Sequence, residues 1–151
     1  MMMAFAFQRS PSAAGGSWAS SPGTRRSMRS NRRSDTAPER ALRSALHRRG
    51  LRFRKDYRVD LAELRVRIDV VFPVRKLAVF IDGCFWHCCP EHGSSPRLNN
   101  DFWERKLRTN VERDARVDDA LLSAGWTVIR CWEHEPVEVA ANRIQEALSL
   151  A

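Results

Sequence analysis

Two segments, Arg67–Phe72 and Lys76–Ile81, are rich in Val, Ile and Phe and are separated only by the turn-like Pro73-Val74-Arg75. Strands of that composition, joined so closely, pair as a hairpin, and their apolar content places the hairpin at the centre of a sheet. The flanking sequence supplies the rest. Thr36-Ala37-Pro38-Glu39 is a capping box with proline in the first helical turn. Leu42, Ala45 and Leu46 give that helix one apolar face, and Gly50 closes it. Leu51–Val59 reads as extended, and a Cys/His-rich loop runs from Gly83 to about Leu98. A long helix is predicted from Asp101 to Ser123, stopped near Gly125, then a buried strand over Trp126–Glu133 and a closing helix over Pro136–Leu148. The order α-β-β-β-α-β-α predicts an α/β fold: a mixed sheet flanked by helices, in one domain without internal repeats.

At 151 residues the chain is the size of one ordinary domain. No apolar run approaches the roughly 18 residues that span a membrane. The net charge of +8 is unevenly placed. Up to Arg58 there are 14 basic and 3 acidic residues, net +11; from Val59 onward there are 12 and 15, net −3. A basic arm beside a mildly acidic body suits a polyanion whose phosphates meet one face, the alternative being a solvated basic tail. Residues 1–27, rich in Ser, Ala, Gly and Pro, read as a disordered extension with Met28 as an alternative start, leaving residues 28–151 as the folded domain. The short Met1–Phe7 stretch lacks preceding basic residues and does not fit a secretion signal, so a reducing cytoplasm is expected.

The four cysteines are Cys84, Cys88, Cys89 and Cys131, the first three within six positions and alongside His87 and His92. Thiolate and imidazole at short loop spacing suit tetrahedral Zn2+. Cys84-x4-Cys89-x2-His92 offers three ligands, and the fourth must come from Cys131-Trp-Glu-His134. Cys131 and His134 face opposite sides of an alternating strand. His134, at the strand's end, is the favoured ligand, and Cys131 reads as a small buried apolar residue. His87 is left over for chemistry.

Asp69 interrupts an otherwise apolar strand, and a carboxylate there is costly unless paired or bound to a cation. Asp82, ending the next strand, is placed to approach the same point. On the long helix, Trp103, Leu107, Asn110, Asp114, Val117 and Leu121 recur as an inward stripe, which Asn110 and Asp114 interrupt with polar groups. Asp114 is placed to orient a histidine. A His–Asp pair beside a carboxylate-bound Mg2+ would hydrolyse a phosphodiester, the metal stabilising phosphate charge and the imidazole activating water.

Asp35-Thr36-Ala37-Pro38-Glu39, Asp69-Val70-Val71-Phe72, Gly83-Cys84-Phe85-Trp86-His87, Asn110-Val111-Glu112-Arg113-Asp114 and Gly125-Trp126…Trp132-Glu133 resemble, in order, the very short patch repair (Vsr) DNA mismatch endonucleases. The resemblance implies a restriction-endonuclease-like fold, a structural zinc and Mg2+-dependent nicking of double-stranded DNA at a T·G mismatch left by deamination of 5-methylcytosine. It implies Asp69 as the metal-binding aspartate, His87 as the group that activates water, Asp114 as its acidic partner and Glu39 as the holder of a metal-bound water. A main-chain carbonyl, here that of Ile81, is implied at the second metal position. Zinc would take Cys84, Cys89, His92 and His134. Phe85, Trp86 and Trp103 are implied as wedges beside the mismatch, with Lys106 and Asn110 as further DNA contacts. A wedge reads the weak stacking of a mismatch without a base-specific contact.

The sequence departs from the best-known members at His87-Cys88-Cys89-Pro90-Glu91-His92, where they carry a histidine-rich run, and at His134, where they carry cysteine. Both changes keep ligand chemistry. Two other readings are a related nuclease without mismatch preference and a non-catalytic zinc module that binds DNA. The expected setting is the bacterial cytoplasm, with action at the nucleoid, no membrane association, a monomeric state and downstream repair proteins as partners.

Overall fold

The computed structural model describes residues 35–62, 64–92 and 100–150. The N-terminal extension expected over residues 1–27 and the end of the Cys/His loop lie outside them. Helix α1 spans Ala37–Arg48; strands follow as β1 (Arg54–Asp60), β2 (Arg65–Phe72) and β3 (Leu77–Asp82); α2 spans Asn100–Ser123, β4 Thr127–Trp132 and α3 Val137–Leu150. This is the anticipated order of elements. The strands lie in the order β1-β2-β3-β4, with β1–β2 and β2–β3 antiparallel and β3–β4 parallel. The sheet is therefore mixed, and the β2–β3 hairpin is its centre. Among the described residues no helix is long and apolar enough to cross a membrane.

The helix ends form where their capping residues place them. Thr36 accepts from the Glu39 N–H at 3.5 Å, and the Glu39 carboxylate accepts from the Thr36 hydroxyl at 2.9 Å. At the other end, Gly50 at φ +75° lets its N–H reach the His47 carbonyl and the Leu51 N–H reach that of Leu46. That cap uses Leu51, which is why β1 begins at Arg54 and not at the expected Leu51. Gly125, at φ +79°, ends α2 in the same way, with Trp126 N–H on the Leu121 carbonyl.

Each face of the sheet is covered. Leu42 and Leu46 of α1 and Ala140, Ala141 and Ile144 of α3 pack on Val70, Phe72, Leu77, Val79, Ile129 and Cys131. Leu121 and Val117 of α2 pack on Val66, Ile68, Val71, Ala78 and Phe80 of the opposite face. Strict alternation would put residues 66, 68, 70 and 72 together. Instead Val66 and Ile68 join the α2 side while Val70 and Phe72 join the other. The phase of β2 slips at one residue, and that residue is Asp69.

Candidate active site

The slip at Asp69 follows from its neighbours. In the β1–β2 register Lys55 faces Val70 and Tyr57 faces Ile68, so Asp56 and Asp69 meet between them. Two carboxylates directly opposite repel. Asp56 adopts φ +49° and its side chain takes a 2.8 Å bond from Arg67. The β2–β3 ladder ends at Val70↔Val79, and the Ile81 N–H beyond it donates to Asp69 Oδ2 at 2.9 Å. Burial pushes the Asp69 carboxyl up to about 6. The Ile81 N–H opposes that rise, whereas Glu39, Asp82 and Asp56 add to it. The charged neighbours that act on Asp69 most are thus all acidic.

Glu39 is buried at the start of α1. Its Oε2 accepts from Asp35 N–H at 2.8 Å and from Arg43 at 3.3 Å, and Arg43 also pairs with Asp35. Among the described residues Oε1 bonds to the Thr36 hydroxyl alone, which leaves it one acceptor position there.

His87 lies in the loop after β3, its Nδ1 2.5 Å from Asp114 Oδ2 on α2. A carboxylate only accepts, so Nδ1 donates a proton to it, and Nε2 is the ring nitrogen left for other partners. Asp82 Oδ1 stands 3.6 Å from the same Nδ1. Asp82 does not turn to a shared point with Asp69 but is gripped by Arg130 through bonds of 2.8 and 2.9 Å. Burial raises its carboxyl above the ordinary value while Arg130 and His87 pull it down. Sequence reasoning missed Arg130, although an arginine between Ile129 and Cys131 in a buried strand is as anomalous as Asp69. It also gave Glu133 no task. Glu133 Oε1 accepts from Cys84 N–H at 2.7 Å and its own N–H donates to the Asp82 carbonyl, tying the loop to β4.

The sulfur and nitrogen donors of Cys84, Cys89, His92 and His134 lie within 4.8 Å of one another. Cys84 Sγ is 3.0 Å and Cys89 Sγ 3.7 Å from His134 Nδ1, with Cys89 Sγ 4.0 Å from His92 Nδ1. Burial pushes the Cys84 thiol up to about 11, and the adjoining Cys89 and Glu133 push the same way. Cys131 stays outside the group, buried beneath α1 and α3, where desolvation raises its thiol to about 11. Cys88 is exposed.

Phe85 packs edge-on against Trp86 and Trp103, which are tilted to each other, with centroids 5.0 to 6.0 Å apart. Phe85 and Trp86 are half-buried, while Trp103 is only 3% exposed and packs beneath them. Asn110, also buried, donates to the Trp86 carbonyl at 3.1 Å, and Lys106 is exposed on α2.

The end of β3 thus carries two carboxylate groupings, Asp69 with Glu39 and Asp56, and Asp82 next to the Asp114-oriented imidazole of His87, donor types that suit a hydrolase. Comparison with known proteins gives the substrate. The family described as DNA mismatch endonuclease Vsr matches residues 20–91. The type II nicking enzyme V.NaeI of Lentzea aerocolonigenes is 52% identical over 127 residues, 83% of this chain and 76% of that protein. V.XorIIP of Xanthomonas oryzae pv. oryzae is 41% identical over 117 residues, 76% and 82% of the two chains. The DNA mismatch endonuclease Vsr of Escherichia coli K12 is 38% identical over 112 residues, 72% and 67% of the two. The chain is a DNA endonuclease, a hydrolase of phosphodiester bonds. It belongs to the Vsr family.

Proposed function

We propose that this protein nicks one strand of duplex DNA at a T·G mismatch in a restriction-endonuclease-like fold, with Asp69, His87, Asp114 and Glu39 as its catalytic set. The observation that carries the reading is the end of β3, where successive residues serve two chemistries. Ile81 is held by the uncompensated Asp69, and Asp82 adjoins the carboxylate-oriented His87. A hard divalent cation suits Asp69, because an oxygen donor whose strongest charged neighbours are acidic gains most from one. Asp69 and the Ile81 carbonyl would hold Mg2+, which supplies charge stabilisation on the phosphate. His87 Nε2 takes a proton from the attacking water, and Asp114 fixes the ring and stabilises the imidazolium. The remaining acceptor position of Glu39 is available to a water at the same site.

Two thiols and two imidazoles match the donor set of structural Zn2+, with His134 as the fourth ligand. That ion would brace the loop carrying Phe85, Trp86 and His87. Phe85 and Trp86 then act as the wedge, Trp103 supports them, Asn110 holds the Trp86 backbone, and Lys106 meets phosphate. The basic segment before Val59 places the duplex. The relatives named as nicking enzymes support a single-strand cut, and the E. coli relative supports a mismatch substrate.

The test is a nicking assay with Mg2+ on duplexes that differ only in one T·G or T·A pair. Cleavage of the T-containing strand at T·G alone is expected. Equal cleavage of both would establish the nuclease without mismatch preference, and tight binding without cleavage the non-catalytic module.

A further inference from the structure

Arg130 lies mid-strand in β4 on the face covered by α2, its guanidinium 4.7 Å from the centre of the Phe80 ring. One nitrogen, Nη1, donates to both Asp82 oxygens, at 2.8 and 2.9 Å. Its Nε donates to Asp118 Oδ2 and its Nη2 to Asp118 Oδ1, each at 2.9 Å, while Nη2 also reaches the Asp114 carbonyl at 3.5 Å. The fork is thereby fixed from three sides.

What it controls is a competition. His87 Nδ1 has one proton to donate and two carboxylates in reach: Asp114 at 2.5 Å and Asp82 at 3.6 Å. Asp82 is the more buried of the two, with 7% of its side chain exposed against 17%. A buried carboxylate without a partner captures any donor nearby, since leaving it unpaired is costly. Both Asp82 oxygens are instead engaged by charge-assisted bonds, the stronger kind.

We propose that Arg130 is a positioning residue which, by saturating Asp82, assigns the His87 Nδ1 proton to Asp114 and so sets where Nε2 points. This rests on the reading of His87 as the proton acceptor. A structural ion pair would need only one carboxylate. The second grip on Asp118 and the contact with Phe80 hold the guanidinium where it meets Asp82.

Single-turnover nicking of a T·G duplex, with His87 Nδ1–H followed by NMR, separates the possibilities. Arg130→Gln is expected to lower the rate about 100-fold, the loss typical of a misaligned general base, with half-saturating DNA changed less than about twofold. The low-field His87 proton should move at the same time. Adding Asp82→Asn removes the competing anion and should restore the signal and the rate to within about tenfold of wild type. Arg130→Lys, which keeps a cation but loses the fork, should fall between and keep the fold if Arg130→Gln does not. The proposal is overturned if folded Arg130→Gln or Arg130→Lys nicks at the wild-type rate, or if the double variant stays slow with the His87 proton still displaced. Wild-type protein that fails to nick, or His87→Ala that nicks normally, would overturn the catalytic reading of His87 instead. The proton spectrum would then decide alone whether Arg130 selects its partner.

Discussion

Two acidic clusters flank the end of β3, and the protein treats them in opposite ways. On the α2 side, Asp82, Asp114 and Asp118 surround Arg130 and His87, so each carboxylate has a side-chain partner within the chain. On the other side Asp69 faces Glu39 and Asp56, whose own bonds go to Arg43 and Arg67, and among the described residues its hydrogen bond is from the Ile81 N–H. One cluster is complete as folded. The other leaves Asp69 without a cationic side-chain partner among the described residues, as the proposed Mg2+ site would require. Orientation of a general base requires a fixed partner, whereas metal binding requires charge left unmet.

The largest effect that would break this contrast is on turnover. Asp69→Asn keeps an oxygen for the Ile81 N–H but removes the charge, and nicking should fall at least about 1,000-fold. His87→Ala should fall comparably, and near-wild-type nicking by either would end the assignment. Next is the proposed zinc site at the Cys/His cluster. Cys89→Ala should lose one zinc per chain, read by elemental analysis, and melt well below wild type, because structural zinc contributes folding free energy. His87→Ala should retain its zinc.

Stability should then move in opposite directions on the two sides. Without added metal at pH 7, Asp69→Asn should stabilise the fold by up to about 3 kcal/mol, the equivalent of a carboxyl raised from 3.8 to about 6. Arg130→Gln should destabilise it by about 3 kcal/mol, since it strands buried Asp82. Denaturant melts at pH 7 test both signs.

The smallest effect is a slope. Native Asp69 keeps its proton to about pH 6, whereas the unfolded residue releases it near 3.8. Its contribution is therefore favourable below about pH 4 and is lost as pH rises to 6, by linkage. Asp69→Asn should remove that decline, and in wild type Mg2+ should bind more tightly as pH passes about 6. A wild-type profile identical to that of Asp69→Asn would show that Asp69 is not held in this way.

The order of elements was legible in one dimension, because caps and periods are local. Thr36 with Glu39, Gly50 and Gly125 end helices through bonds a few residues long, and the stripe from Trp103 to Leu121 needs only helical repetition. The sequence also displayed the donor types, since Asp69 in a strand and three cysteines in a short loop are anomalies visible in one dimension. Tertiary structure decided which charge meets which. The phase slip at Asp69 depends on Asp56 arriving opposite it across the β1–β2 register. The capture of Asp82 depends on parallel pairing of β4 with β3, which sets Arg130 level with Phe80 and under α2. Neutralisation depends on distance across strands and helices far apart in sequence, so it arises only once the sheet has closed.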